Sequence, residues 1–217
     1  MILYGSSLSP FVRKVLAYAS EKGIELELKP TGRPGEPSQE FLEASPLRKM
    51  PAFRDEGFTL ADSSAIIQYL EARFPEPQLI PSDPKMRGRV IWFEEFGDTA
   101  IGSCGGKIFF NRVVLPRFFG RPGDEQAAEA AECEELPPLL DYLETVVPEA
   151  GEFLVGGRIT LADIAIATQF VNFEHLNCAR DRTRHGRVYA YVDSILARPS
   201  FATLIQQEAA FLAKEPA

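Results

Sequence analysis

An α/β domain followed by an all-helical bundle is the architecture that this 217-residue sequence predicts. Three observations carry the expectation. Short strand-like and helix-like segments alternate through residues 1–77, prolines at 75, 77, 81 and 84 punctuate a linker over 78–84, and residues 85–217 read as helix almost throughout.

The apolar run at 2–5 reads as a strand. A helix over 9–22 follows at once, with Ser9 at the N-cap, Pro10 at the first helical position, where its missing N–H costs nothing, and Val12, Val15, Leu16 and Ala19 at helical spacing. Gly23 ends it, and the alternating residues 25–30 form a second strand, so that strand, helix and strand make a parallel pair with a crossover. Residues 37–44 read as a short helix started by 36–38, and 52–54 and 58–60 as strands around the hairpin turn Asp55-Glu56-Gly57. Asp62 opens a helix running to about 74. The order βαβαββα gives a mixed four-stranded sheet with helices on its faces, which is the thioredoxin-like architecture.

Beyond the linker, 85 to about 119 is a long apolar, aromatic-rich helical stretch that Gly102-Ser103 and Gly105-Gly106 are placed to interrupt and Pro116 to kink or end. A second long helix covers 123–147, bent at Pro137-Pro138. Thr160-Leu161-Ala162-Asp163 reads as a capping box with Asp in the usual Glu position, opening an apolar helix to about 177; helices over 186–197 and 200–213 complete the bundle.

A formal charge of −8 and a pI near 5.0 argue against nucleic acid or an anionic membrane surface as the main partner. No apolar run approaches the ~18 residues of a membrane span, and the first residues enter a strand directly instead of forming a secretion signal, so a cytoplasmic protein is expected. Cys104, Cys133 and Cys178 are odd in number and widely spaced, without CxxC, and read as free thiols. Two histidines, His175 and His185, leave little from which to build a metal centre or a Ser-His-Asp triad, and no metal is expected.

The strand-to-helix turn at Ser9 carries the chemistry. A helix N-terminus bears roughly half a positive charge and favours an anion such as a thiolate, to which a hydroxyl there can donate. Read alone, Ser9 serves equally well as a simple cap.

Four segments stand in a particular order: Ser9-Pro10-Phe11 after the first strand, Lys49-Met50-Pro51-Ala52-Phe53, Leu60-Ala61-Asp62-Ser63-Ser64-Ala65-Ile66, and Thr160-Leu161-Ala162-Asp163-Ile164-Ala165. In these, and over nearly its whole length, the chain resembles the soluble, cytosolic-type glutathione S-transferases of the serine type. The resemblance implies that glutathione is the co-substrate and that Pro51 is cis, turning the Met50 backbone outward to pair with the cysteinyl backbone of glutathione. Ser63 would bind the γ-glutamyl carboxylate, Asp62, where many members have Glu, the γ-glutamyl ammonium, and Lys49 the glycine carboxylate. Without the family, Pro51 reads as a trans proline starting a strand, Asp62 and Ser63 as caps, and Lys49 as a solvated loop lysine.

The implied reaction is conjugation of the glutathione thiolate to an apolar electrophile that the sequence does not identify. Ser9 is the first candidate to activate the thiol, with Ser7 and Tyr4 as the others. No cysteine occupies the turn, which disfavours thiol-transfer chemistry. Leu8, Phe11, Phe109, Phe110, Val113 and Phe118 are candidate lining for an electrophile site between the domains, with Arg112 and Arg117 at its rim; the phenylalanines serve equally as bundle core. Thr160 and Asp163 are structural caps. A homodimer is implied by the resemblance. The competing readings are a glutathione-dependent isomerase or dehalogenase on the same fold, and a non-catalytic binding or scaffold protein.

Overall fold

The computed structural model describes residues 1–33, 35–178 and 181–214. Two compact units divide the chain, Met1–Leu79 and Ile80–Ala217.

In the first unit the elements run β1 (Ile2–Tyr4), α1 (Pro10–Glu21), β2 (Glu27–Lys29), β3 (Gly32–Arg33), β4 (Glu36–Pro37), α2 (Gln39–Ala44), β5 (Ala52–Asp55), β6 (Phe58–Ala61) and α3 (Ser63–Arg73). The four-stranded sheet has the order β2-β1-β5-β6, with β1 and β2 parallel and the other neighbours antiparallel. This is the expected thioredoxin-like sheet. The β3–β4 ribbon is additional: two-residue strands show no period in a sequence, and Gly32, at φ 125°, lets them close where a Cβ would lie 2.4 Å from the Glu36 carbonyl oxygen. Leu3, Val12, Val15, Tyr18, Phe53, Ile66, Ile67 and Leu70 form the core, each contributing about 1.5–3 kcal/mol when fully buried.

A buried polar network links α1, α3 and the segment after α3. The Lys22 ammonium pairs with Glu71 at 2.6 Å and donates to the Pro77 carbonyl at 2.7 Å; the Tyr18 hydroxyl donates to Glu71, and the Leu79 N–H donates to its other oxygen at 3.2 Å. Buried charge survives only when its partners are all in place.

The second unit begins with one unbroken helical run from 84 to 119: α4 (Pro84–Glu95), a π segment (Phe96–Ile101), α5 (Gly102–Phe109), a second π segment (Phe110–Val114) and α6 (Leu115–Phe119). The glycines expected to interrupt it do not. Gly105 lies where a Cβ would come within 3.3 Å of the Phe173 ring, and Gly97 where one would come within 2.8 Å of the Ala165 carbonyl oxygen, so small residues here allow close approach to α9 (Leu161–Leu176). Nor does Pro116 end the run, which stops at left-handed Gly120. Its missing N–H is accommodated by the wider hydrogen-bond register of the π segment just upstream. The same device precedes Pro137 and Pro138, where α7 (Glu125–Ala130) passes through a π segment (Ala131–Glu135) into α8 (Leu136–Val146). Among the described residues no helix is long and apolar enough to cross a membrane.

Helix α9 is buried on every face from Leu161 to Phe173 and is opened by the expected capping box. Asp163 accepts from Thr160 N–H (2.8 Å), Thr160 Oγ1 (3.0 Å), Leu154 N–H (2.8 Å) and the Tyr191 hydroxyl (2.7 Å). Burial pushes its carboxyl above the usual range, with the four donors pulling the other way. Helices α10 (Gly186–Leu196) and α11 (Pro199–Leu212) close the bundle. None of the three cysteines is paired in a disulfide. Cys104 and Cys178 are buried and Cys133 is exposed; burial, reinforced by Glu135, raises the Cys104 thiol to about 11.

Candidate functional site

Sheet register brings the sequence-predicted residues of the first unit together. Tyr4 pairs with Ala52 and Ala52 with Ala61, so the chain leaving β1, the chain entering β5 and the chain leaving β6 emerge at one end of the sheet. That end therefore gathers Ser7 to Pro10, Lys49 to Pro51, and Asp62 to Ser63. A hydrogen bond from the Asp62 N–H to the Pro51 carbonyl, 3.3 Å, joins the last two directly.

Ser9 is the N-cap residue of α1, with Pro10 behind it, yet its side chain makes no capping hydrogen bond. Ser38, Asp62, Asp83 and Asp124, the N-caps of α2, α3, α4 and α7, all accept main-chain N–H groups. The half-buried Ser9 hydroxyl is thus left at the positive end of a twelve-residue helix. Ser7, also half-buried, lies in the turn closed by Ser9 N–H on the Ser6 carbonyl at 3.0 Å. Tyr4 is different: its ring is 1% exposed against Phe41, Ala44 and Ala52, and its hydroxyl donates to the Glu40 carboxylate at 3.3 Å. It points into packing with α2.

The Met50–Pro51 peptide is cis, with Pro51 buried and Met50 exposed. Lys49 is exposed beside it. Its main chain is held from both sides by Ser45, whose hydroxyl donates to the Lys49 carbonyl (2.7 Å) and accepts from the Lys49 N–H (3.0 Å). Ser45 was not legible in the sequence, because a serine ahead of a proline-containing loop looks like any turn residue. Asp62 is exposed at φ 82° and ψ 131°, a conformation that costs a non-glycine residue of order 1–3 kcal/mol. One carboxylate oxygen caps α3, accepting from Ser64 N–H (2.9 Å) and Ala65 N–H (3.1 Å). Ser63 follows, 3% exposed, as the first residue of α3.

Of the electrophile-lining candidates, Leu8 and Phe109 are buried, Phe11 and Val113 are half-buried, and Phe110 is exposed. Phe118 stacks on Phe211 at 6.1 Å. Both rim arginines are already committed. Arg112 forks onto Glu125 (2.7 Å) and Glu132 (2.5 Å), and Arg117 donates to the Phe211, Leu212 and Lys214 carbonyls at the end of α11. Neither stands open to an anionic substrate.

The end of the sheet thus offers an uncommitted hydroxyl at one helix N-terminus, outward main chain before a cis proline, an exposed ammonium, and a carboxylate with a hydroxyl at a second helix N-terminus. Such a set can stabilise a thiolate and hold an extended, charged peptide. Comparison with known proteins agrees with that class. Residues 3–78 match the glutathione S-transferase N-terminal domain and residues 114–208 the glutathione S-transferase C-terminal domain. A glutathione S-transferase of Hyoscyamus muticus is 31% identical over 212 residues, covering 95% of this chain and 98% of its own. Glutathione S-transferase theta-3 of Mus musculus is 30% identical over 179 residues, 81% of this chain and 74% of its own. Among solved structures, a glutathione S-transferase of Methylobacterium radiotolerans in complex with glutathione sulfonate is 27% identical, with a TM-score of 0.75 over 94% of this chain and 93% of that one. The chain belongs to the glutathione S-transferase family.

Proposed function

We propose that this chain conjugates glutathione to an apolar electrophile and that the Ser9 hydroxyl stabilises the reacting thiolate. The observation that carries the reading is the Ser9 side chain: it occupies an N-cap position and makes no cap bond. A free thiol near pKa 8.5 is only a few per cent ionised at pH 7. Lowering that pKa by about two units takes roughly 2.7 kcal/mol. One charge-assisted hydrogen bond of about 1.5–3 kcal/mol and ~0.5–1 from the helix terminus suffice.

On binding, the thiol proton passes to solvent while Ser9 keeps its own proton and donates it as a hydrogen bond. The sulfur then forms the C–S bond, and the leaving group departs with the electron pair of the bond that breaks. Lys49 holds the glycine carboxylate, the Met50 main chain pairs with the cysteinyl main chain ahead of Pro51, and Asp62 and Ser63 hold the γ-glutamyl ammonium and carboxylate. Phe11, Phe110, Val113 and Phe118 are the apolar candidates that retain exposed surface; Phe118 spends one ring face on Phe211, and the first three are assigned to the electrophile. The protein acts as a cytoplasmic homodimer; exposed Phe58 in the first unit and exposed Trp92 in the second supply aromatic surface for association.

Calorimetric titration of glutathione, followed by thiolate absorbance against pH in the saturated complexes, tests the reading in wild type and Ser9→Ala. The substitution is expected to raise the bound thiol's pKa by about a unit or more, with affinity held within about threefold. An unmoved pKa transfers the donor's role to Ser7. Failure of the wild type to bind glutathione leaves the scaffold reading in its place.

A further inference from the structure

We propose that Ser45, which touches no substrate, is a positioning residue for glutathione: its hydroxyl sets the main chain that presents Lys49 and Met50. The inference rests on the glutathione reading above. Residues 46–50 are exposed at every position, so this loop has no buried side chain to fix it. Ser45 is 0% exposed and sits at the C-terminal end of α2, where its N–H donates to the Phe41 carbonyl at 2.8 Å. Its carbonyl accepts from the Arg48 N–H at 2.9 Å, and Arg48 is in the left-handed region at φ 57°. Its hydroxyl then uses both polar groups of the Lys49 main chain, at 2.7 and 3.0 Å.

A hydrogen-bonded anchor that is itself locked in the core therefore reaches the residue immediately before Met50. Order imposed on the loop before the ligand arrives is order that binding does not have to impose. Thiol activation sits on a different segment, the turn after β1. The consequence is a division of effects: Ser45 governs how tightly glutathione binds and leaves the ionisation of its thiol alone.

The test is calorimetry with glutathione on folded wild type, Ser45→Ala, Ser45→Cys and Ser45→Thr, together with the bound-thiol pKa and the electrophile KM at saturating glutathione. Ser45→Ala is expected to raise Kd and the glutathione KM about tenfold. The bound-thiol pKa and the electrophile KM stay within about twofold of wild type, and Ser45→Thr, which keeps the hydroxyl, recovers most of the affinity. Ser45→Cys nearly preserves the volume and offers only a weak hydrogen-bonding group, so it carries the same expectation should the alanine variant not fold. A Kd within twofold of wild type in a folded Ser45→Ala or Ser45→Cys protein overturns the proposal. So does a joint shift of Kd, thiol pKa and electrophile KM, which marks general loosening of the domain. A wild type that binds no glutathione overturns both this proposal and the reading beneath it, and is recognised before any variant is made.

Discussion

Asp62 caps α3 with one carboxylate oxygen and is proposed to face the γ-glutamyl ammonium with its negative charge. Substitution separates the two duties. Asn caps about as well as Asp, so Asp62→Asn is expected to change stability by under about 0.5 kcal/mol while weakening glutathione binding severalfold; Asp62→Ala should lose about 1 kcal/mol as well. Urea midpoints and calorimetric Kd values read the two effects independently, and unchanged affinity in Asp62→Asn removes the ammonium contact from the reading. Of the residues proposed for the site, Ser9, Asp62 and Ser63 stood out in the sequence because they lie at helix starts, where residue type and position are tightly coupled. Ser45 and the commitments of Arg112 and Arg117 did not, because their partners are chosen by the fold: Arg117 binds carbonyls more than ninety residues away in sequence.

Helices α1 and α3 are held together by more than their apolar faces. In Glu71→Gln the Lys22 ammonium, whose side chain is fully buried, loses its carboxylate, and a loss of about 3–5 kcal/mol is expected in denaturant unfolding. Adding Lys22→Met should restore part of it; a double variant no better than the single one would show that the charge pair is not the cause. The strands of the main sheet and the starts of α1, α3 and α9 follow from periodicity and caps that the sequence displays. Glycines in the long helical run misled for a physical reason: at Gly105 the absent Cβ serves close packing on the Phe173 ring, and a sequence does not show which helix will approach. The π segments ahead of Pro116 and Pro137 answer a missing N–H by changing register, a choice that depends on neighbours holding the helix in place.

At the scale of the molecule, acidity is a lever on the second unit. The His185 imidazole, then the Arg184 guanidinium, hold the Asp141 carboxyl below its usual range. A lowered folded-state pKa contributes stability above the unfolded value near pH 4 and loses it as pH falls through the folded value. Wild type should therefore lose more of its urea midpoint between about pH 6 and 3 than Asp141→Asn does; equal losses would remove this contact as a source of acid sensitivity. Sedimentation velocity checks the proposed dimer, with an expected mass twice the 24.1 kDa of one chain; a single species at 24.1 kDa rejects it. The distribution of the cysteines also has a practical outcome. With Cys104 and Cys178 buried and Cys133 on the surface, a maleimide dye added to the native chain should attach once, at Cys133, giving a single-site fluorescent reporter without any engineered residue.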